Sequence, residues 1–167
     1  ATQGSKITSS KKLKEENQII AWHEAGHALA TKLYKEEFMQ VTISGSSSGV
    51  GGFSLRGDKD NNLPKLSELK NIVKISYAGR VAESFLLGDD ITIGAQNDIE
   101  KASETIKDMV LRYGMDRSQT MLNLDVIKNE NYLKEEAKII SEELYKEVLN
   151  DLESNKDILE DIANALL

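Results

Sequence analysis

Two histidines and one glutamate lie close together in the stretch AWHEAGHAL, residues Ala21–Leu29. His23 and His27 are four residues apart, and on an α-helix this spacing places both side chains on one face, one turn apart. Both imidazoles can therefore bind the same metal ion. Glu24 directly follows His23, so its carboxylate can touch a metal-bound water without being a ligand itself. This H-E-x-x-H pattern predicts a metal site with a base beside it.

The third ligand of such a site is neither histidine nor cysteine, because the chain has only two histidines and no cysteine. A metzincin would continue with a glycine and a third histidine, but Ala30 and Leu33 stand at those positions. Any third protein ligand is therefore an aspartate or a glutamate. The structural alternative to a metal site is a pair of helical histidines that are hydrogen-bonded in a core.

Two acidic residues are candidates for the third ligand. Asp98 falls in the first turn of a predicted helix beside small residues, where its carboxylate can project toward a neighbouring helix. It can equally be a helix-start carboxylate that faces the N-terminal dipole. Glu83 lies on the preceding predicted helix and can equally form an ion pair with Arg80, three residues earlier on the same face. Periodicity does not choose between the two carboxylates.

Composition limits the class of protein and the kind of partner. The 167 residues are enough for one domain with a substantial core. The net charge of −7 argues against nucleic acid or an anionic membrane surface as the main partner. The absence of cysteine excludes disulfides, and no apolar run approaches the roughly 20 residues that cross a bilayer. We expect residues 1–10, which are small and polar, to be a disordered end or a cloning remnant, and residues 11–167 to form the domain.

Apolar periodicity predicts helices along most of the chain, so the predicted fold class is mainly α, with about 60% helix. The first helix should run from about Ser10 to Tyr34 and carry both histidines. Ala25 and Gly26 are small, which leaves room for a second element to approach this helix closely. Its apolar side should consist of Leu13, Ile19, Ile20, Ala28, Leu29 and Leu33.

Four further helices are predicted after residue 64. The second helix, of roughly 20 residues, should start at Leu66 and stop at Gly88. The third should begin near residues 95–97 and end at Gly114, before an irregular stretch to about residue 129. The fourth should break at residues 154–155, before the last helix. The third helix should bury Ile99, Ala102, Ile106, Met109, Val110 and Tyr113. The apolar stripes of the last two helices should comprise Leu133, Ala137, Ile140, Leu144, Val148, Leu152, Ile158, Leu159, Ile162 and Leu166.

The segment between the first two helices has a different character. Residues 40–44 and 53–56 are rich in alternating or β-branched residues, so a small β-hairpin or sheet is expected there. Residues 45–52, between the two strands, are rich in glycine and serine but lack the Lys-Ser/Thr pair of a phosphate-binding loop. They are either a flexible turn or part of a strand edge that pairs with an extended peptide.

Four stretches together resemble one protein family: Ala21–Leu29, Ala78–Glu83, Thr92–Ile99 and Met109–Met115. In their order and spacing, from about Glu15 to the last residue, the chain is similar to the peptidase domain of the FtsH family of ATP-dependent zinc metalloproteases. The resemblance implies a helical metallopeptidase domain whose cofactor is Zn²⁺.

The resemblance also implies a role for each candidate residue. His23, His27 and Asp98 would be the zinc ligands, and Glu24 would be the general base that activates a zinc-bound water. Glu83 would then orient the site from outside the ligand set. The implied reaction is hydrolysis of peptide bonds in unfolded polypeptide.

The chain differs from the family pattern in two respects. It shows no ATPase module and no membrane helix, and residues 41–55 are rich in serine and glycine where the family usually carries a Pro-Arg-Gly segment. The resemblance therefore implies a proteolytic domain that works with an ATPase module in the same or a partner chain. It also implies a homo-oligomer, most simply a hexamer, for which the apolar stripes of the last two helices would provide surfaces. The implied location is the cytoplasm, or the cytoplasmic face of a membrane if the domain belongs to a longer anchored chain.

A different class of function is kept as the alternative: a catalytically degenerate FtsH-like module for assembly or regulation, with a structural metal. Glu24 favours the enzyme, because a purely structural site has no use for a base beside an open coordination position.

Overall fold

Six α-helices make up the part of the chain that the computed structural model describes, residues 3–34 and 64–167. No strand occurs within these two ranges, and the mainly α class is confirmed for them. The predicted β-hairpin, with its glycine-rich connection, lies outside the described residues. The helices are α1 (Gln3–Leu33), α2 (Leu66–Leu87), α3 (Gln96–Leu111), α4 (Leu124–Ile127), α5 (Glu130–Ser154) and α6 (Lys156–Leu166).

Most helix ends follow the predicted stop signals. α2 ends at Gly88, whose φ of 64° is adopted easily only by glycine. α5 ends at Asn155, where the break was predicted. In contrast, α1 begins at Gln3 instead of Ser10, α3 ends before the predicted Gly114, and the stretch predicted to be irregular contains the short α4. Within the described ranges, no helix combines the length and the apolar character needed to cross a bilayer.

α2 and α5 both contribute to the two apolar clusters of the core, and α2 also packs against α1, which carries the histidines, and α3, which carries Asp98. One cluster joins α1, α2, α5 and α6, and the other joins α2, α3, α4 and α5. The first consists of Trp22, Ala25, Leu29, Ala30, Ile75, Ala78, Val81, Ala82, Val148, Leu152, Leu159 and Ala163. The second consists of Val73, Tyr77, Ala102, Ile106, Val110, Leu124, Ile140 and Leu144.

Five residues that were predicted to lie in apolar stripes are exposed: Leu13, Ile20, Ile99, Tyr113 and Ile158. For Leu13 the reason is clear, because every side chain from residue 9 to residue 18 is exposed. Periodicity marks the apolar face of a helix, but it does not say whether another element covers that face.

Gly26 allows α1 and α2 to pack closely, as its small size predicted. A Cβ at this position would lie 2.4 Å from the carbonyl oxygen of Ala78 and 2.7 Å from the Cβ of Ala82, both on α2. These distances are far inside van der Waals contact, so the two backbones could not keep their separation if residue 26 had a side chain. The close approach brings the metal-motif helix against the helix that carries Glu83.

We expect Gly26→Ala to destabilise the fold by about 1–3 kcal/mol, the usual cost of forcing extra atoms into a packed interface. The better helix propensity of alanine offsets only about 0.5–1 kcal/mol of this. Urea unfolding of the metal-free protein measures the difference, and Ser10→Ala, on the exposed part of α1, is the control. Equal stabilities of Gly26→Ala and the original chain would show that the helices can separate at no cost.

Candidate metal centre

Three polar atoms from two helices meet at one point. The Nε2 atoms of His23 and His27, both on α1, are 3.0 Å apart, and each lies 3.2 Å from Oδ2 of Asp98 in the first turn of α3. All three side chains are partly buried. Within the described residues this is the group of histidine and acidic side chains that could hold a metal ion. The structure therefore brings together the three residues that the sequence analysis named as zinc ligands.

The outer nitrogen of each imidazole has its own partner. Nδ1 of His27 lies 2.9 Å from the carbonyl oxygen of Ile75, and since a carbonyl only accepts hydrogen bonds, this nitrogen must carry the proton. Nδ1 of His23 lies 2.8 Å from Oε1 of Glu83, and an ionised carboxylate is likewise an acceptor. Neutral rings with Nδ1 protonated present unprotonated Nε2 atoms to each other and to Asp98.

The inward-facing atoms fit a zinc ion. Two nitrogen lone pairs and a carboxylate oxygen separated by 3.0 to 3.2 Å repel one another unless a positive charge lies between them. Zinc ligands at their usual distances, placed at the corners of a tetrahedron, are roughly 3.3 Å apart. The observed separations are close to that edge length, and two imidazoles with one carboxylate form a known catalytic ligand set that leaves a fourth position open.

The electrostatics of the cluster also favour a positive charge. Burial lowers the pKa of His23, but hydrogen bonds to Asp98 and Glu83 outweigh that effect and raise it above its ordinary value. Burial raises the pKa of Asp98, but the hydrogen bonds that His23 and His27 donate when their Nε2 atoms carry a proton outweigh burial and hold it well below its ordinary value. A proton and a metal ion therefore compete for the same position.

Glu83 lies outside the three-atom cluster and holds one of its members. Its side chain is 1% exposed. Oε1 accepts from Nδ1 of His23, while Oε2 accepts from the backbone N–H and the hydroxyl of Thr92, at 3.2 and 3.0 Å. Among the ion pairs of the described residues there is none between Glu83 and Arg80, whose guanidinium instead donates to the carbonyl of Thr92 at 2.8 Å. The ion-pair interpretation of Glu83 is therefore wrong for this structure.

Glu24 directly follows a member of the cluster, His23, and its carboxylate is uncommitted among the described residues. It is the neighbour of His23 on α1 and is partly buried. Within the described part of the chain it has no hydrogen-bond or ion-pair partner, in contrast to Glu83 and Asp98. A carboxylate that is close to a metal position and not engaged elsewhere is suited to accept a proton.

Gly79 is a residue of the site that sequence reasoning missed. A Cβ at this position would lie 2.6 Å from Nε2 of His23 and 2.7 Å from Nε2 of His27. Any side chain on this turn of α2 would therefore displace the two imidazoles. The only signal in the sequence was a glycine within a predicted helix, where it lowers helix stability by about 0.5–1 kcal/mol relative to alanine and so needs a reason.

Two variants test the third ligand. We expect Asp98→Ala to purify nearly free of metal at neutral pH, because the change removes one of three protein ligands. Glu83→Gln should keep its metal at saturating zinc, because loss of a partner outside the ligand set weakens binding by only about 10- to 100-fold. Mass spectrometry gives the metal content, and circular dichroism checks folding. If Asp98→Ala keeps a tightly bound zinc ion and Glu83→Gln loses it, Glu83 and not Asp98 is the third ligand.

A third variant tests the space beside the imidazoles. Gly79→Ala should lose metal binding but keep the stability of the metal-free fold within about 1 kcal/mol, because the displaced atoms are ends of side chains and alanine favours helix. Zinc titration and urea unfolding measure the two quantities. Gly26→Ala is the matched control, since its Cβ meets the backbone of α2 instead. If Gly79→Ala binds zinc as tightly as the original chain, Gly79 does not lie against the two imidazoles as described.

Comparison with known proteins identifies the family of the chain. Residues 11–167 match the model of Peptidase family M41. The chain is 36% identical over 160 residues to the ATP-dependent zinc metalloprotease FtsH 1 of Alkaliphilus metalliredigens, covering 91% of this chain and 27% of that protein. It is 37% identical over 159 residues to the ATP-dependent zinc metalloprotease FtsH of Lachnoclostridium phytofermentans, covering 92% and 27%. The FtsH protein of Thermotoga maritima is 32% identical over 169 residues.

The chain spans about a quarter of the length of these curated relatives. Their names imply Zn²⁺ as the cofactor, and His23, His27 and Asp98 are the possible site for it. The histidine pair, the acidic third position and the match over residues 11–167 lead to one conclusion: the chain belongs to Peptidase family M41, in which it is similar to the FtsH zinc metalloproteases.

Proposed function

We propose that residues 11–167 form a zinc-dependent endopeptidase domain that hydrolyses unfolded polypeptide, with His23, His27 and Asp98 as the zinc ligands. One observation carries the proposal. The Nε2 atoms of His23 and His27 and Oδ2 of Asp98 converge within 3.2 Å, while Nδ1 of each ring lies against a hydrogen-bond acceptor. Such an arrangement is useful only around a positive charge.

The residues of the chain divide the work of hydrolysis. Bound Zn²⁺ supplies Lewis-acid chemistry, which polarises a carbonyl group and lowers the pKa of water. The carboxylate of Glu24 acts as the general base, takes the proton from the attacking water and delivers it to the leaving amine. Glu83 and the carbonyl of Ile75 keep the two imidazoles in the orientation and tautomer that binding requires.

The partners are also part of the proposal. The relatives are named ATP-dependent zinc metalloproteases, and this supports an ATPase module in the same or a partner chain. We also propose a homo-oligomer, a hexamer. The net charge of −7 supports a protein partner over nucleic acid. We propose a location in the cytoplasm or at the cytoplasmic face of a membrane.

We infer that self-association uses a surface other than the one that the sequence analysis favoured. Most residues of the stripes of the last two helices face the core, where Val148, Leu152 and Leu159 are fully buried, although Ile158 is exposed. Exposed apolar side chains are found instead in the connection from α3 to α5, at Met121, Leu122, Val126 and Ile127. The expected self-association would therefore use a different surface from the one predicted.

Replacing the base tests the mechanism. Glu24→Gln should lower casein cleavage by about 10²- to 10⁴-fold, the usual contribution of a general base, while the zinc content stays at one ion per chain. Chelators should abolish the cleavage by the unaltered chain. Glu16→Gln, an exposed glutamate on the same helix, is the matched control and should cleave normally.

Two other results would overturn the proposal. Undiminished cleavage by Glu24→Gln would exclude this residue as the base. Stoichiometric zinc in the unaltered chain without any cleavage, even with an ATPase partner present, would favour the alternative of a structural metal in an assembly module.

A further inference from the structure

Thr92 lies in the connection between α2 and α3, and every polar group of this residue is engaged. Its backbone N–H and its hydroxyl donate to Oε2 of Glu83, at 3.2 and 3.0 Å. Its carbonyl accepts from Nη2 of Arg80 at 2.8 Å. Its hydroxyl oxygen also accepts from the N–H of Gly94 at 3.0 Å. Two residues of α2 therefore hold Thr92, and Thr92 in turn holds the next turn of the chain.

The two oxygens of Glu83 have separate tasks. Oε1 accepts from His23, and Oε2 accepts only from Thr92 among the described residues. Because the side chain is 1% exposed, water does not readily replace a lost donor. A buried carboxylate that loses a hydrogen bond turns toward its remaining donors or shifts its position. The orientation of Oε1 toward His23 therefore depends on the contacts of Oε2.

The position of Asp98 depends on the same connection. The residue that precedes α3, Ala95, has no side-chain group that could cap the helix, so the contacts just before the helix are made by the backbone. That backbone turns through a bond from the N–H of Gln96 to the carbonyl of Ile93, at 3.1 Å. A Cβ at Gly94 would come within 3.1 Å of the Thr92 hydroxyl. The first turn of α3 is thus built directly on Thr92.

We propose that Thr92 is a positioning residue for the metal centre, whose hydroxyl links the partner of one ligand, His23, to the segment that places another, Asp98. The inference rests on the proposed zinc site and adds a residue to it. Thr92 touches none of the three ligand atoms. It acts through Glu83 on one side and through Gly94 on the other.

The test compares three variants. Thr92→Val keeps the shape of the side chain and removes its hydroxyl, whereas Thr92→Ser keeps the hydroxyl. Thr105→Val is the matched control, because the Thr105 hydroxyl donates a hydrogen bond to the carbonyl of Lys101 within α3, away from the cluster. Zinc affinity is measured by competition with a chromogenic chelator, and thermal unfolding is followed with the metal removed.

We expect Thr92→Val to lower zinc affinity by about 10- to 100-fold, as is usual for the loss of a partner of a metal ligand. Thr92→Ser and Thr105→Val should both remain within about 3-fold of the original chain, which is less than 1 kcal/mol. The melting temperatures of the metal-free Thr92→Val and Thr105→Val proteins should agree within a few degrees.

Three results would overturn the inference. Thr92→Val could bind zinc as tightly as the original chain, Thr92→Ser could bind it as weakly as Thr92→Val is expected to, or Thr105→Val could lose as much affinity as Thr92→Val. If Thr92→Val does not fold, Thr92→Ser decides the test, because the inference requires Thr92→Ser to bind zinc as tightly as the original chain. Failure of the proposed function gives a different pattern, because then the original chain itself would not bind zinc.

Discussion

Three hydrogen-bond acceptors that repel one another meet in this structure, and the rest of the fold has to hold them together. The Nε2 atoms of His23 and His27 and Oδ2 of Asp98 lie 3.0 to 3.2 Å apart, and a fold can keep such atoms together only if a positive charge joins them and rigid packing holds their backbones. α1 and α2 supply that packing, because Gly26 allows the helices to touch and Gly79 leaves room for both rings.

The part of the site that could be predicted from sequence is the part that one helix encodes. His23, Glu24 and His27 lie within a single turn and a half, so their geometry follows from helix periodicity alone. Asp98 is 75 residues from His23, and no local rule places the first turn of α3 beside the two histidines of α1. Periodicity therefore left Asp98 and Glu83 as equal candidates, and the resemblance to a family was needed to prefer one.

The residues that were missed share one property: their role depends on which surfaces meet. Gly79 matters only because the histidines face that turn of α2, and Thr92 only because Glu83 is within reach of it. The same limit explains the errors in the core, where Leu13 and Ile20 have the spacing of a buried stripe but remain exposed. Most helices were nevertheless predicted, since their periodic stripes and stop signals are local.

The two imidazoles are oriented by different kinds of acceptor. The partner of His27 is the main-chain carbonyl of Ile75, and the partner of His23 is the side chain of Glu83. Every amino acid at position 75 offers the same carbonyl as long as α2 stays helical, so the orientation of His27 is insensitive to the identity of that residue. The orientation of His23 instead depends on the identity of one side chain, that of Glu83. A substitution at position 83 would therefore change the basicity of His23 and leave that of His27 unaltered.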